Sequence, residues 1–137
     1  KIITTRDGAM LRFYLGAADV VVFPSTQPSE VFGLVQLEAM AAGKPLINTA
    51  LPTGVPWVAR DQKEALTVPP GDVSALAGAM EQLGNDAALR ARLGQAGRER
   101  VTQEFTLAKM RAAYYDLYHQ SGIFESNVRQ SELDRDR

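Results

Sequence analysis

The chain has 137 residues, which suits one domain, and its 45% hydrophobic and 23% charged residues are typical of a globular protein with a core. A net charge of -1 argues against nucleic-acid binding, while zero cysteines and one histidine exclude disulfides, thiol catalysis and a metal site built from thiolates or several imidazoles. No run of about 18 apolar residues and no signal peptide is visible in the sequence, so we expect a cytoplasmic protein.

The first part of the chain alternates strand and helix patterns. Residues 2–4 predict a short strand, and apolar residues then recur at helical spacing from Leu11 to Ala18. Residues 20–23 are continuously β-branched or aromatic, which is typical of a parallel strand buried on both faces. A polar, proline-containing loop over residues 24–29 follows this strand.

The middle of the chain repeats this alternation with shorter elements. Residues 33–42 predict a helix that ends at Gly43. Residues 46–48 and 66–68 predict strands, and Pro56 suits the start of a short helix between them. This order of elements is typical of a parallel sheet whose strands are connected by helices.

Three helices are predicted after the last strand, with N-caps at Asp72, at Asn85 or Asp86, and at Thr106. Residues 121–137 are polar and aperiodic, so we expect a frayed or disordered tail. Helical spacing predicts the inward faces of the three helices to be, in chain order, Val73, Leu76, Ala77 and Met80; Leu89, Leu93, Ala96 and Val101; and Met110, Ala113, Tyr114, Leu117 and Tyr118.

Arginines are frequent in the second of these helices. Arg90, Arg92, Arg98 and Arg100 are predicted to line a solvated helix face. Upstream of them stands Trp57, whose indole is predicted to pack in the core, with the edge of a binding pocket as the alternative.

The alternation of elements predicts an α/β fold, a Rossmann-like parallel sheet flanked by helices, because right-handed crossovers place helices on both faces. Ligands bind such sheets beyond the carboxyl ends of the strands. The loop after residues 20–23 lies there and leads into a helix whose first N–H groups, on Gly33, Leu34 and Val35, can hold phosphate. The absence of a side chain at Gly33 would let the ligand approach the backbone closely.

Two carboxylates bracket the start of this helix. Glu30 precedes it and Glu38 lies inside it, with seven residues between them. Glu38 could accept hydrogen bonds from a diol such as ribose, and Glu30 could contact a hydroxyl-rich group. From spacing alone, two structural alternatives stay open: Glu30 can serve as a favourable charge at a helix N-terminus, and Glu38 can be a solvated helix residue.

The longer segment around these glutamates carries a resemblance to a known family. Residues 30–47 read EVFGLVQLEAMAAGKPLI, residues 18–25 read ADVVVFPS, and TGVP and VPPGD follow at residues 53–56 and 68–72. This pattern resembles the signature of family 4 of the retaining glycosyltransferases, the glycogen-synthase-like enzymes of the GT-B fold. The resemblance covers roughly residues 7–119 and implies the C-terminal half of that fold.

The resemblance also implies a role for each matching residue. Glu30 corresponds to the catalytic glutamate beside the donor sugar and the reaction centre, and Glu38 to the one that binds the ribose hydroxyls. The family's donor is a UDP- or GDP-sugar, used without a cofactor and without a bound metal. The donor-binding residues implied by the match are Ser25, Phe32, Gly33, Leu34, Val35, Glu38, Thr53 and Gly54.

The activity implied by the resemblance is that of a hexosyltransferase, with retention of the anomeric configuration, in bacterial polysaccharide or glycan biosynthesis. Residues 1–120 would form its nucleotide-sugar-binding domain. The family's acceptor-binding N-terminal domain, and the basic residues that neutralise the diphosphate, have no match in this sequence, and Lys44 and Arg60 are poor substitutes. We therefore expect a fragment that is inactive alone. A truncated sheet would expose an edge and apolar surface, so we also expect the fragment to self-associate. For the parent protein we expect peripheral membrane contact.

Two alternatives to this function stay open. The chain can be a nucleotide-sugar-binding module without turnover, or a structural α/β domain that binds no ligand. The sequence departs from the family pattern in one loop, where Gln62 and Ala65 stand in a stretch that usually holds glycines, so we expect that loop to be shaped differently.

Overall fold

The computed structural model describes residues 8–121, apart from the side chain of Ala9. The predicted strand at residues 2–4 and the predicted tail after Ser121 therefore lie outside the described residues. The chain divides into two compact units, Lys1–Gln103 and Glu104–Arg137.

Each helix and strand predicted between residues 8 and 120 is present, within a few residues of its expected bounds. In chain order the elements are α1 Gly8–Ala17, β1 Val21–Val22, α2 Leu34–Ala41, β2 Leu46–Thr49, α3 Val55–Val58, β3 Ala65–Val68, α4 Val73–Asn85, α5 Ala87–Glu104 and α6 Leu107–Gln120.

The described strands form one parallel sheet in the order β1-β2-β3, so β2 is central. Leu46 pairs with Val21 on one side and with Ala65 on the other. All four residues of β2 are buried, whereas β1 is half-buried. The prediction that β1 is buried on both faces is therefore wrong, because this short strand lies at an edge of the described sheet.

The core lies on both faces of β2, because successive strand side chains point in opposite directions. Leu46 belongs to a cluster with Leu15, Met40 and Val58, from α1, α2 and α3. Its neighbour Ile47 belongs to a second cluster that collects Leu66, Val68, Ala79, Leu83 and Leu93 from β3, α4 and α5. The predicted α/β arrangement, a parallel sheet flanked by helices, is confirmed.

Helix α5 approaches the rest of the sheet unit closely through two glycines. A Cβ atom on Gly94 would lie 2.2 Å from the carbonyl oxygen of Gly43, and one on Gly97 would lie 3.1 Å from Cγ of Met40. These contacts leave no space for side chains, so α5 packs backbone against the turn that follows α2.

The inward face predicted for α4 is wrong for three of its four residues. Val73 and Met80 are 78% and 50% exposed, and Ala77 is also exposed. The helix instead buries Ala79 and Leu83, with Leu76 partly buried. The small Ala79 lets α4 lie close to the sheet, so close approach selects this face and leaves larger apolar side chains on its flank.

The inward face predicted for α6 is also not buried. Its residues Met110, Ala113, Tyr114, Leu117 and Tyr118 are all exposed. Within the helix, the rings of Tyr114 and Tyr118 stack with their centroids 6.4 Å apart.

The two kinds of helical glycine in this fold make a matched pair for mutation. We expect Gly94→Ala to lower the free energy of unfolding by about 2 kcal/mol or more, because its methyl group overlaps the Gly43 carbonyl. Gly78→Ala in α4 meets nothing within 4 Å, so we expect it to raise the free energy of unfolding by about 0.5–1 kcal/mol. Urea denaturation measures both; equal effects of the two substitutions would contradict the described packing of α5.

Candidate functional site

The carboxyl end of β1 leads through a loop into an uncapped helix start. Gly33 is the N-cap of α2, has a φ of 72°, and makes no side-chain capping hydrogen bond. Among the described residues, no acceptor takes the backbone N–H of Gly33, Leu34 or Val35. Three donors and the positive end of the helix dipole are thus available to an anion.

Gly33 is required here for a reason other than the predicted one. A Cβ atom on Gly33 would lie 2.8 Å from the ring of Phe23 and 3.0 Å from Nε2 of Gln36. The space beside its Cα is therefore filled by protein side chains rather than kept for a ligand. The positive φ and this contact together explain the glycine.

The two glutamates singled out in the sequence are unengaged. Glu30 is half-buried and Glu38 is exposed. Within residues 8–121, neither carboxylate takes part in a hydrogen bond or an ion pair. Both are therefore free to accept hydrogen bonds from a ligand.

Glu38 lines a cleft of about 460 Å³ between α1 and α2. Among the described residues, Arg12, Leu15, Ala41 and Ala42 also line this cleft. Arg12 was not singled out in the sequence, because it stands next to the apolar face of α1 and belongs to no motif. Arg12 lies three residues before the buried Leu15, so the two share one face of the helix. This spacing is the one signal in the sequence that could have placed Arg12 beside the cleft.

The loop at Thr53 and Gly54 lies directly against the glutamate segment. The N–H of Gly54 donates to the carbonyl of Val31 at 2.8 Å, and a Cβ on Gly54 would also lie 2.8 Å from that oxygen. The hydroxyl of Thr53 accepts from the N–H of Val55 at 3.4 Å. The structure therefore places Gly54 directly against Val31, the residue after Glu30.

Ser25 lies at the end of the central strand. Its carbonyl oxygen accepts a 2.6 Å hydrogen bond from the hydroxyl of Thr49, the last residue of β2. This bond joins the loop after β1 to the carboxyl end of β2.

A buried amide network lies beneath the site. Asn48 donates to Oε1 of Gln36 at 2.9 Å and to the carbonyl of Ala59 at 2.8 Å. Gln36 in turn donates to the carbonyl of Phe32 at 3.0 Å, and Thr67 donates to Oδ1 of Asn48 at 2.7 Å. These bonds connect α2, β2, β3 and the segment after α3 with side chains that the sequence analysis did not single out.

The cations nearest in sequence to the site have protein partners. The Arg60 guanidinium donates to Oε2 of Glu64 at 3.0 Å, and Nζ of Lys44 donates to the carbonyl of Gly16 at 2.8 Å. Burial raises the pKa of Glu64, but hydrogen bonds and charge from Arg60, with the charge of Arg100, outweigh it and hold the pKa below its ordinary value of 4.5. Arg60 and Lys44 therefore each already have an acceptor within the protein.

Two sequence predictions fail on the outer side of α3. Arg100, predicted to be solvated, is 6% exposed and donates to the carbonyls of Val58 at 3.1 Å and Trp57 at 3.0 Å. Trp57, predicted in the core, is 58% exposed. Arg100 is buried because the last carbonyls of the short helix α3 need hydrogen-bond donors, and the guanidinium of Arg100 supplies these donors from α5.

In the loop before β3, Gln62 has a φ of 59°, the left-handed conformation that favours glycine. Its N–H donates to the carbonyl of Ala65 at 2.8 Å. The loop therefore makes a glycine-like turn with a residue that carries a side chain.

Two further features are absent from residues 8–121. No three histidine, cysteine, aspartate or glutamate side chains converge there on a common point that could hold a metal ion. No helix in the same part of the chain has the length and hydropathy needed to cross a membrane.

The Glu64 ion pair predicts a pH dependence of stability. Because the folded pKa is depressed, the pair stabilises the fold fully above about pH 4.5, and this contribution is lost as the pH falls through the lower folded value. We expect Glu64→Gln to show a smaller acid-induced loss of unfolding free energy than the unmodified chain. The exposed Glu81→Gln is the control, and an acid response of Glu64→Gln equal to that of the unmodified chain would exclude this role.

The arginines of α5 offer a second test. We expect Arg100→Met to lower the free energy of unfolding by about 2–4 kcal/mol, because one buried and one partly buried carbonyl lose a charged donor. Arg98→Met, on the exposed side of the same helix, should change it by less than about 0.5 kcal/mol. Denaturant midpoints of the two variants measure the difference, and similar midpoints would show that Arg100 is solvated after all.

Comparison with known proteins places this site in context. The family model described as glycosyl transferases group 1 matches residues 3–100. The O-antigen chain mannosyltransferase C of Escherichia coli is 38% identical over 98 residues, which are 72% of this chain and 26% of that protein.

Solved structures agree with the sequence comparison. Sucrose-phosphate synthase from Thermosynechococcus elongatus is 36% identical with a TM-score of 0.79, over 92% of this chain and 30% of that one. Anabaena HepE in complex with UDP and glucose is 25% identical with a TM-score of 0.71, over 78% and 29%. These neighbours are GT-B glycosyltransferases, so the predicted fold is confirmed. The chain spans about 26–30% of the length of these three proteins.

Proposed function

Because this chain belongs to the family of glycosyl transferases group 1, we propose that it binds a UDP- or GDP-sugar and supplies the donor-binding half of a retaining glycosyltransferase. Its residues 1–120 form the nucleotide-sugar-binding domain in this proposal. The relatives' names and the UDP and glucose bound to Anabaena HepE favour this class of donor.

The observation that carries the proposal is the uncapped start of α2 between two unengaged carboxylates. The N–H groups of Gly33, Leu34 and Val35 have no acceptor within the described part of the chain. A diphosphate accepts from such N–H groups and is attracted by the helix dipole. Glu30 on one side and Glu38 on the other are acceptors for the neutral, hydroxyl-bearing groups that flank the diphosphate, the sugar and the ribose.

Glu38 binds the ribose in this proposal. It stands one turn into α2 and opens into the cleft that it shares with Arg12 and Leu15. A cleft of about 460 Å³ is within the range of small-molecule sites, and a carboxylate can accept two hydrogen bonds from a vicinal diol.

Glu30 acts at the sugar end of the donor. It is half-buried beside the loop of Thr53 and Gly54, where the backbone contact to Val31 holds the segment. A carboxylate at this point stabilises positive charge that develops on the sugar ring as the bond to the diphosphate breaks. The N–H groups of α2 stabilise the opposite charge that develops on the leaving diphosphate.

Turnover requires more than these residues. Arg60 and Lys44 are bound to protein acceptors, so the proposal assigns the cations that neutralise the diphosphate, and the acceptor-binding domain, to parts of the enzyme outside this chain. The isolated chain then binds the donor without turning it over. Donor hydrolysis by the isolated chain at the rate of a full-length relative would contradict this second statement and leave the first intact.

Calorimetry with UDP, GDP and their sugars tests the donor site. We expect Glu38→Ala to weaken binding of the preferred nucleotide by at least about tenfold, because charged hydrogen bonds to the ribose are lost. Glu81→Ala, an exposed glutamate on α4, should leave the affinity unchanged. No heat with any of these ligands, or equal affinities of the unmodified chain and Glu38→Ala, would overturn the assignment.

A further inference from the structure

Gln36 is a fully buried amide side chain three residues after Gly33, the N-cap of α2. Its Nε2 atom donates to the carbonyl of Phe32 at 3.0 Å and to that of Val55 at 3.3 Å. Its Oε1 atom accepts from Nδ2 of Asn48 at 2.9 Å. Both amide protons and the oxygen of Gln36 are therefore engaged, so the network holds the side chain in one orientation.

Backbone carbonyls set the direction of this network, because a carbonyl can only accept. The nitrogen of Asn48 must face the carbonyl of Ala59, to which it donates at 2.8 Å, and the same nitrogen reaches Oε1 of Gln36. The nitrogen of Gln36 must then face the carbonyl of Phe32. Neither side-chain amide can turn over without bringing two acceptors together in a buried site, which is costly.

The carbonyl of Phe32 and the N–H of Gly33 belong to the same peptide group. A trans peptide is planar, with its C=O and N–H pointing in opposite directions. None of the peptide bonds between described residues is cis. Because the buried amide of Gln36 binds the carbonyl, the N–H of Gly33 points away from that amide. Within residues 8–121 no acceptor takes this N–H.

A glycine at this position makes the orientation of the peptide easy to reverse. A flip of the Phe32–Gly33 peptide changes ψ of Phe32 and φ of Gly33, and glycine accepts either sign of φ. The observed φ of Gly33 is 72°. After a flip, the carbonyl oxygen of Phe32 would stand where the N–H now stands, and its partial negative charge would repel a phosphate. The hydrogen bond from Gln36 holds the peptide against this flip.

We propose that Gln36 is a positioning residue that holds the Phe32–Gly33 peptide with its N–H toward the diphosphate of the donor. This inference rests on the proposed function, which assigns the diphosphate to that N–H. Gln36 acts through the peptide rather than on the ligand, and Asn48 contributes by fixing the orientation of the Gln36 amide. A chain of hydrogen bonds that ends on a carbonyl also polarises the N–H of the same peptide, which makes this N–H a stronger donor.

The amide proton of Gly33 reports on its own acceptor in the unmodified chain. The isotope-labelled chain is titrated with UDP, GDP, uridine and guanosine and followed by amide NMR. We expect the preferred diphosphate to move the Gly33 amide proton downfield and to slow its exchange with solvent, whereas the matching nucleoside does neither. A Gly33 signal that stays unchanged while those of Leu34 and Val35 respond to the diphosphate would overturn the proposal without any substitution.

Gln36→Met separates positioning from folding, because it keeps the approximate size of the side chain and removes its amide. We expect it to weaken binding of the preferred nucleoside diphosphate roughly 3- to 10-fold and to leave the affinity of the matching nucleoside within about twofold, since the N–H that it releases serves the anion alone. Gln82→Met, an exposed glutamine on α4, is the matched control and should change neither affinity. Circular dichroism checks that each variant is folded.

The outcomes distinguish this inference from the function on which it rests. If UDP or GDP binds and Gln36→Met binds it as tightly as the unmodified chain, the positioning role is wrong and the donor site stands. A parallel loss of diphosphate and nucleoside affinity in Gln36→Met would show that Gln36 only stabilises the fold, which also overturns the positioning role. If neither nucleotide binds the unmodified chain, the donor site and the positioning role are both wrong.

Discussion

The hydrogen bond between the side-chain amides of Gln36 and Asn48 is the interaction on which the site depends. Both residues are fully buried, so each polar atom must be satisfied within the protein. Gln36 donates to the carbonyl of Phe32, and Asn48 to that of Ala59, which fixes the chain before α2 and the chain after α3 relative to the central strand. Among the described residues no buried side-chain N or O atom lacks a partner. Every buried amide group of the network therefore has a partner, and the network holds the segments before α2 and after α3 in place.

Above this satisfied interior lie the groups that the proposed function assigns to the donor. The N–H groups at the start of α2 and the carboxylates of Glu30 and Glu38 have no acceptor or donor within residues 8–121. Leu34 and Glu38 are exposed and Val35 and Glu30 are half-buried, so solvent can hydrate their polar groups when no ligand is bound, whereas Gly33 is buried. These groups are pre-organised, because the backbone that carries them is held from below by Gln36 and from the side by the contact between Gly54 and Val31.

The sequence predicted the order of helices and strands between residues 8 and 120 because hydrophobic periodicity and caps are local signals. The thirteen-residue helix α4 was expected from Asp72, whose side chain does accept from the N–H of Ala75 at 2.9 Å. Which face of α4 is buried could not be predicted, because Val73 and Met80 are as apolar as Leu76 and only the distance to the sheet excludes them. The glutamate pair and the Thr53–Gly54 loop were assigned to the candidate site by their resemblance to a known family. Arg12 belongs to no motif, and only the structure shows that it lines the cleft.

The sequence by itself determined that the chain is an α/β domain of the glycosyltransferase type. The β-branched runs of the strands, the helical spacing of apolar residues and the segment around Glu30 and Glu38 are all local patterns that can be recognised within short segments. Tertiary structure alone decided the environments of Arg100, Trp57 and Gly33. Arg100 is buried because carbonyls more than forty residues earlier need its donors, and Trp57 is exposed because that anchor holds α3 with the indole outward. Gly33 is required because the ring of Phe23, ten residues away, fills the space beside it. Each of these depends on a neighbour distant in sequence, and no local pattern encodes which neighbour that is.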